Sequence, residues 1–259
     1  MSQDLLYEIT EGIGRITFNR PQARNAFTFE MYEGLIEICL QAENDKSVRA
    51  LVLTGAGEKA FAAGTDISQF LAFSTPEDAL QYEERVDRVL GVLERCPVPT
   101  IAAIAGACIG GGAGVASCCD FRICAANARF GFPVGRTLGN CLSGATCARL
   151  AALLGPARVK DIVFTARLMD AAEARMIGLV SEVLPDYAAL QSRADELART
   201  VAAQAPLTLR STKEALRRIK EKTVPEDDRD LILMCYMSRD FREGVDAFLN
   251  KRSPNWTGT

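Results

Sequence analysis

The sequence predicts an α/β core followed by a helical C-terminal region, and three observations carry that reading. Unbroken apolar runs at 49–54 and 100–105 fit strands covered on both faces. Stretches with helical periodicity alternate with such runs as far as about residue 140. Beyond Asn140 the helical period dominates.

The elements follow in order. Leu5 to Thr10 and Gly14 to Asn19 flank Gly12-Ile-Gly14 as a hairpin, and Arg20-Pro21 ends its second strand because proline offers no ladder donor. Thr28 caps a helix to about Glu43, with Met31, Leu35, Ile38 and Cys39 on one face. Arg49 to Thr54 is a buried strand, closed by Gly55-Ala-Gly57. Ala60 to Ala63 is a short strand or extended segment, and Asp66 to Phe73 is helical. Ser74-Thr-Pro-Glu77 starts a helix that reaches Arg95, where Pro97 and Pro99 break it. Thr100 to Ala105 is a strand, and a helix runs from Gly110 to about Cys119-Asp120. Phe121 to Ala125 is a strand and Arg129 to Phe132 an extended piece. Helices are then predicted at Leu142–Leu154, Pro156–Phe164, Asp170–Met176, Tyr187–Ala203, Pro206–Glu221, Pro225–Met237 and Arg239–Leu249. One short strand, Leu179–Val183, interrupts them.

Composition narrows the function classes. A chain of 259 residues makes one large domain, or a domain with a small appendage, and buries a sizeable core. A net charge of −3 without Lys/Arg blocks argues against a nucleic-acid partner. The longest apolar candidate, Thr100 to Cys119, is interrupted by Gly110 to Gly112, which argues against a membrane span. The segment Met1 to Glu8 has no basic or secretory character, so a cytoplasmic location is expected. Nine irregularly spaced cysteines read as reduced, buried thiols. The absence of histidine excludes Ser-His-Asp and Cys-His catalysis and His-containing metal sites.

Two segments carry the chemistry. Ala60-Phe-Ala-Ala-Gly-Thr-Asp-Ile67 and Ile109-Gly-Gly-Gly-Ala-Gly-Val115 each place glycine where backbone approaches a ligand closely. Together they can present two peptide N–H donors to one oxygen, which stabilises charge developing on a carbonyl. A glycine run alone also fits a tight strand-to-helix turn, and the pairing with the first segment favours the donor reading.

Five segments in order resemble the crotonase (enoyl-CoA hydratase/isomerase) superfamily, over about Leu5 to Trp256. They are Asn19-Arg-Pro21 with Asn25-Ala-Phe27, Lys59 to Ile67, Ala105 to Ala113, Cys119 to Ala125 with Ala128 to Gly131, and Ala205 to Lys213 with Glu243 to Arg252. The resemblance implies a spiral of ββα units with a core over 1–200 and a C-terminal trimerisation and CoA-covering region over 201–259. It further implies a homotrimer or dimer of trimers, and an acyl-CoA substrate whose coenzyme A enters as part of the thioester and not as a bound cofactor. By the same likeness the N–H donors come from Thr65 and Gly111, and Arg24 and Lys251 lie near the CoA phosphates, Lys251 acting across a subunit boundary. Phe248 helps to cover the ligand, and Ala63 and Ile67 line the adenine and pantetheine path.

The chain departs from that pattern where acids are needed. Relatives that hydrate enoyl-CoA use two glutamates, and the corresponding positions here are Gly114 and Val134, or Gly135 with a one-residue shift. General base catalysis is worth roughly 10²–10⁴-fold per group, so efficient hydration is not expected. Polar substitutes are sought in Asp66, Arg136, Thr137, Asn140, Cys141 and Ser143. Asp66 also reads as a helix cap, and Arg136 either holds a substrate carboxylate or makes a surface ion pair. Cys141 has no histidine to activate it. Glu83, Glu84 and Asp87 read as a solvated charged face, and Asp120 as structural. Three functions follow: an enoyl-CoA hydratase/isomerase-like enzyme that stabilises a thioester enolate, a decarboxylase or other enolate-forming relative, or a catalytically silent CoA-ester binding subunit.

Overall fold

Three consecutive strand pairs build two sheets at once. The computed structural model describes residues 3–224 and 227–259; Met1 and Ser2 of the N-terminal segment, and the expected helix start at Pro225, lie outside the described residues. β1 (Leu5–Thr10) and β2 (Ile13–Phe18) form the antiparallel hairpin, turning at Glu11 and Gly12, both with positive φ. α1 (Phe29–Asn44) is capped by Thr28, whose hydroxyl accepts from Met31 N. The strand pairs are β3 (Ala50–Gly55) with β4 (Ala60–Ala62), β5 (Thr100–Ile104) with β6 (Ala107–Ile109), and β7 (Phe121–Ala125) with β8 (Arg129–Gly131). A 3-10 turn, Ile67–Ala72, and α2 (Pro76–Arg95) follow the first pair. α3 (Gly111–Cys118) follows the second. α4 (Val134–Thr137), α5 (Gly144–Leu154) and α6 (Pro156–Thr165) follow the third. The chain closes with β9 (Met169–Asp170), α7 (Ala171–Met176), β10 (Glu182–Leu184), α8 (Tyr187–Ala202), α9 (Pro206–Glu221), α10 (Arg229–Tyr236) and α11 (Arg239–Leu249).

The first strand of each pair enters a six-stranded sheet, β1-β2-β3-β5-β7-β10, and the second enters a four-stranded sheet, β4-β6-β8-β9. This is the α/β spiral of ββα units with a helical C-terminal region. β3 and β5 are buried along their whole length because both sheet faces are covered. Ala50, Val52, Ile101 and Ala103 meet Leu190, Ala194 and Ala198 of α8, spaced four apart on one helix face. Leu51, Leu53, Ala102 and Ile104 point the other way, into the main core with α1 and α3. A third cluster joins Phe70, Ala79, Ile232, Tyr236, Phe241 and Val245, and so packs α10 and α11 on α2 and the Ile67–Ala72 turn.

Several boundaries differ from the sequence reading. Residues 107–109 form a strand, β6, inside what read as a strand-to-helix connection. The strand expected at Leu179–Val183 is Glu182–Leu184, because Leu179 and Val180 turn into the main core after Gly178, which has positive φ. The helix expected from Leu142 begins at Gly144, where Ser143 caps it by accepting from Thr146 N. Six of the nine cysteines are buried, whereas Cys141 and Cys235 are half-buried and Cys147 is exposed. Among the described residues no helix is long and apolar enough to cross a membrane.

Candidate active site

Parallel pairing of β4 with β6, Ala60 opposite Ala107, brings the segments that follow them side by side. After β4, Gly64 turns with φ of 104°, and its carbonyl accepts from Phe27 N at 2.8 Å. Asp66 N donates to Phe27 O at 2.8 Å, so both neighbours of the Thr65 N–H are held in place. After β6, Gly110 turns with φ of 52° and α3 starts at Gly111, whose N–H has no acceptor in its own helix. No described residue accepts from the Thr65 or the Gly111 N–H. A Cβ at position 111 would stand 3.6 Å from Thr65 N and 2.4 Å from Tyr32 Oη, so only glycine leaves this volume open. A Cβ at Gly112 would meet Ala62 O at 2.2 Å, which explains the next glycine by close packing of α3 on β4. Thr65 N thus lies close to Gly111 at the start of α3, and a helix start with free N–H groups suits an oxygen carrying negative charge.

Thr65 Oγ1 sits between Tyr32 Oη and Tyr82 Oη, each at 2.9 Å. Burial pushes both phenols well above their ordinary range, so they stay neutral. A Cβ at Gly114 would lie 3.5 Å from Leu90 Cδ1, an apolar neighbour on α2. Val134 opens α4 and is half-buried.

The polar candidates divide. Burial raises the Asp66 carboxyl, but hydrogen bonds from Ser68 and Arg20, with the Arg20 charge, outweigh it and hold the group below the usual carboxylate range. Asp66 caps the Ile67–Ala72 turn and pairs with Arg20 at 3.0 Å, so its oxygens are occupied. Arg136 is exposed and makes no ion pair among the described residues, and the Thr137 hydroxyl donates to Pro133 O. Cys141 Sγ lies 3.8 Å from Leu231 O; its bond to Cys235, and then burial, push the thiol up and away from the reactive thiolate. Of the residues expected near CoA, Arg24 and Ala63 come together through Ala63 N to Arg24 O at 3.0 Å. Ile67 packs into the third cluster, while Phe248 and Lys251 are exposed on α11 and just beyond it.

The sequence model of the enoyl-CoA hydratase/isomerase family matches residues 8–259. This chain belongs to the enoyl-CoA hydratase/isomerase family. It is similar to a short-chain-enoyl-CoA hydratase of Clostridium acetobutylicum, 35% identical over 241 residues that cover 92% of this chain and 91% of the relative. A probable enoyl-CoA hydratase of Mycobacterium bovis is 36% identical over 259 residues, 98% of each chain. Among solved structures, an enoyl-CoA hydratase/carnithine racemase from Magnetospirillum magneticum superimposes with a TM-score of 0.81 at 34% identity, over 100% of this chain and 97% of the other.

In this member of the family, α2 corrects the sequence reading. Glu83 is 6% exposed, not solvated, and Tyr236 Oη donates to its Oε1. Burial, and then the charges of Asp87 and Asp228, push its carboxyl up to about 8 against the pull of the Tyr236 bond. Asp87 is half-buried, accepts from Ser143 Oγ at 2.7 Å, and is also raised by burial. Only Glu84 stays on the exposed face, near Arg229. The signal was available: Ala79, Glu83 and Leu90 share the apolar stripe of α2. Asn140 Nδ2 donates to Tyr236 Oη at 3.2 Å, and its buried Oδ1 has no partner among the described residues.

Two cavities flank these elements. One is small and apolar and lies behind α3 between Ala113, Phe132, Leu150 and Ile162. The other, of about 210 Å³, is bounded by Phe70, Phe73, Ala79, Tyr236 and Phe241. Neither is lined by Thr65 or Gly111.

Proposed function

We propose that this protein processes acyl-CoA thioesters as an enoyl-CoA hydratase/isomerase-like enzyme, holding the thioester oxygen between the N–H groups of Thr65 and Gly111. The closeness of Thr65 N to Gly111, with no acceptor for either N–H among the described residues, supports the reading. Addition at the β-carbon, proton loss at the α-carbon and decarboxylation all pass through an enolate whose charge rests on that oxygen. One such donor is worth about 2.7–4 kcal/mol of barrier, and the α3 dipole adds to it. Coenzyme A enters as part of the substrate. Arg24 and Lys251 are free to meet its phosphates, with Ala63, Ile67 and Phe248 along its path. Helices α9 to α11 serve assembly and ligand covering; Leu207, Leu216 and Ile219 of α9 are exposed apolar residues, which supports a homotrimer or a dimer of trimers.

One observation favours an enolate-forming reaction that needs no activated water, such as decarboxylation. Position 114 faces Leu90 and position 134 is valine, so neither place the resemblance assigns to an acid carries one. Asp66 and Ser143 do not fill the gap, since Arg20 and Asp87 occupy them. The test is loss of the conjugated enoyl-thioester absorbance when the protein meets crotonyl-CoA. The expected result is bound thioester with turnover below the usual range of about 1–10³ s⁻¹. Turnover within that range overturns the weak-hydratase reading. Binding without turnover of any thioester leaves a silent CoA-ester binder.

A further inference from the structure

One side chain touches both segments of the thioester site. Tyr32 leaves the first turn of α1, where Thr28 caps the helix and Thr28 O accepts from Tyr32 N at 3.2 Å. Its side chain is fully buried, with its ring 4.9 Å from the Phe27 ring between centroids. Its Oη stands 2.9 Å from Thr65 Oγ1, and 2.4 Å from the place a Cβ would take at position 111. The same oxygen therefore meets the residue after Gly64 and the first residue of α3. Thr65 Oγ1 meets a second phenol from the other side, Tyr82 Oη of α2, also at 2.9 Å. Phe70 packs edge-on against the Tyr82 ring, with centroids 4.9 Å apart.

Thr65 is thus held through its backbone and its side chain together. Phe27 N and O pair with Gly64 O and Asp66 N, both at 2.8 Å, and the two phenols fix the hydroxyl between α1 and α2. Burial keeps both phenols protonated, so they hold Thr65 without placing a negative charge beside the oxygen its N–H would stabilise. Donors lower a barrier because they are fixed before charge develops. Such placement holds to about 0.5 Å only where the supporting side chains are themselves locked by packing and hydrogen bonds.

We propose that Tyr32 and Tyr82 are positioning residues that set the Thr65 N–H against Gly111, with Tyr32 Oη as the spacer between the two segments. This rests on the thioester-oxygen reading and deepens it. Loss of Tyr32 Oη leaves a void at Gly111 and takes one of the two bonds from Thr65 Oγ1, so the donors settle out of place. A ligand with full charge on its oxygen suffers more from that than a neutral carbonyl does.

The test compares butyryl-CoA with acetoacetyl-CoA on the intact protein, at one pH near neutral. Butyryl-CoA presents a neutral thioester carbonyl. Acetoacetyl-CoA loses its α-proton to solvent and binds as an enolate, whose ultraviolet band reports it. In the parent, the enolate-to-keto ratio of bound acetoacetyl-CoA should exceed that of the free ligand by at least about tenfold. Tyr32→Phe and Tyr82→Phe should each lower the bound ratio by about tenfold, while butyryl-CoA binds within about threefold of the parent. Thr65→Val keeps the backbone N–H, loses both hydroxyl bonds, and should match the double phenylalanine variant. Melting temperatures identify the folded variants, and Tyr82→Phe and Thr65→Val decide the matter if Tyr32→Phe does not fold. Folded variants that keep the parent ratio, or that weaken both ligands alike, overturn the inference alone. A parent that binds neither ligand, or that binds acetoacetyl-CoA without a gain in enolate, overturns the thioester-oxygen reading with it.

Discussion

A methyl group at position 111 has no room. It would stand 2.4 Å from Tyr32 Oη and fill the volume between the two N–H donors. Gly111→Ala should therefore lower thioester turnover by about 10²–10³-fold, as loss of an oxyanion donor does. Adding Tyr32→Phe removes the clashing hydroxyl and should recover melting temperature without recovering turnover; recovery of both contradicts the assignment. Glu83 makes a second prediction, in pH. Its carboxyl stays protonated in the folded chain up to about 8, whereas the unfolded chain ionises near the ordinary 4.5. Between those values the unfolded state binds fewer protons, so this residue's contribution to stability falls as pH rises. The ceiling is about 5 kcal/mol over the whole window at 1.36 kcal/mol per pH unit. Glu83→Gln should gain in melting temperature relative to the parent between about pH 5 and about pH 8. An unchanged difference contradicts the buried, protonated carboxyl. The sequence alone showed Glu83 as one charge among several on α2; its place on the apolar stripe was visible, but not the tyrosine from α10 that pairs with it.

The helix α9 is tied to the sheet by one carboxylate. Asp120 Oδ2 accepts from Thr100 N at 2.8 Å, Thr100 Oγ1 at 3.0 Å and Lys213 Nζ at 2.6 Å, while Lys213 also reaches Val98 O. Asp120→Ala removes all three and should cost at least about 3 kcal/mol in urea unfolding, since a single bond to a charged group contributes about 1.5–3 kcal/mol. Asp120→Asn keeps an acceptor and should cost less; equal losses contradict the charged tie. The long elements were legible because their patterns repeat. β3 and β5 are unbroken apolar runs, and α8 spaces Leu190, Ala194 and Ala198 four apart. β6 was not, because three residues before a glycine turn show no period, and their pairing partners lie in β4 and β8. β10 slipped because Leu179 and Val180 are apolar for the core and not for the sheet.

The whole molecule makes the site by winding. Each turn of the spiral lays a strand in each sheet, so the segments after β4 and β6 meet although they are far apart in sequence. The family and the paired glycine segments were legible from motif order. The apposition of Thr65 N with Gly111, and the polar network between α2 and α10, needed the three-dimensional path. At this scale the exposed apolar face of α9 predicts assembly. Light scattering should give a trimer or hexamer for the parent, and a smaller mass for Leu216→Glu with Ile219→Glu; a monomeric parent contradicts it. Two N–H donors, from Thr65 and Gly111, grip the thioester oxygen in the proposed site. Isotope-edited difference infrared spectroscopy of bound crotonyl-CoA, labelled with ¹³C at the carbonyl, tests it most directly. The carbonyl band should move to lower frequency than in water, because two fixed donors weaken the C=O bond, and the shift should vanish in Gly111→Pro, which lacks one N–H. A bound thioester whose band stays at its aqueous position would rule out the two-donor grip.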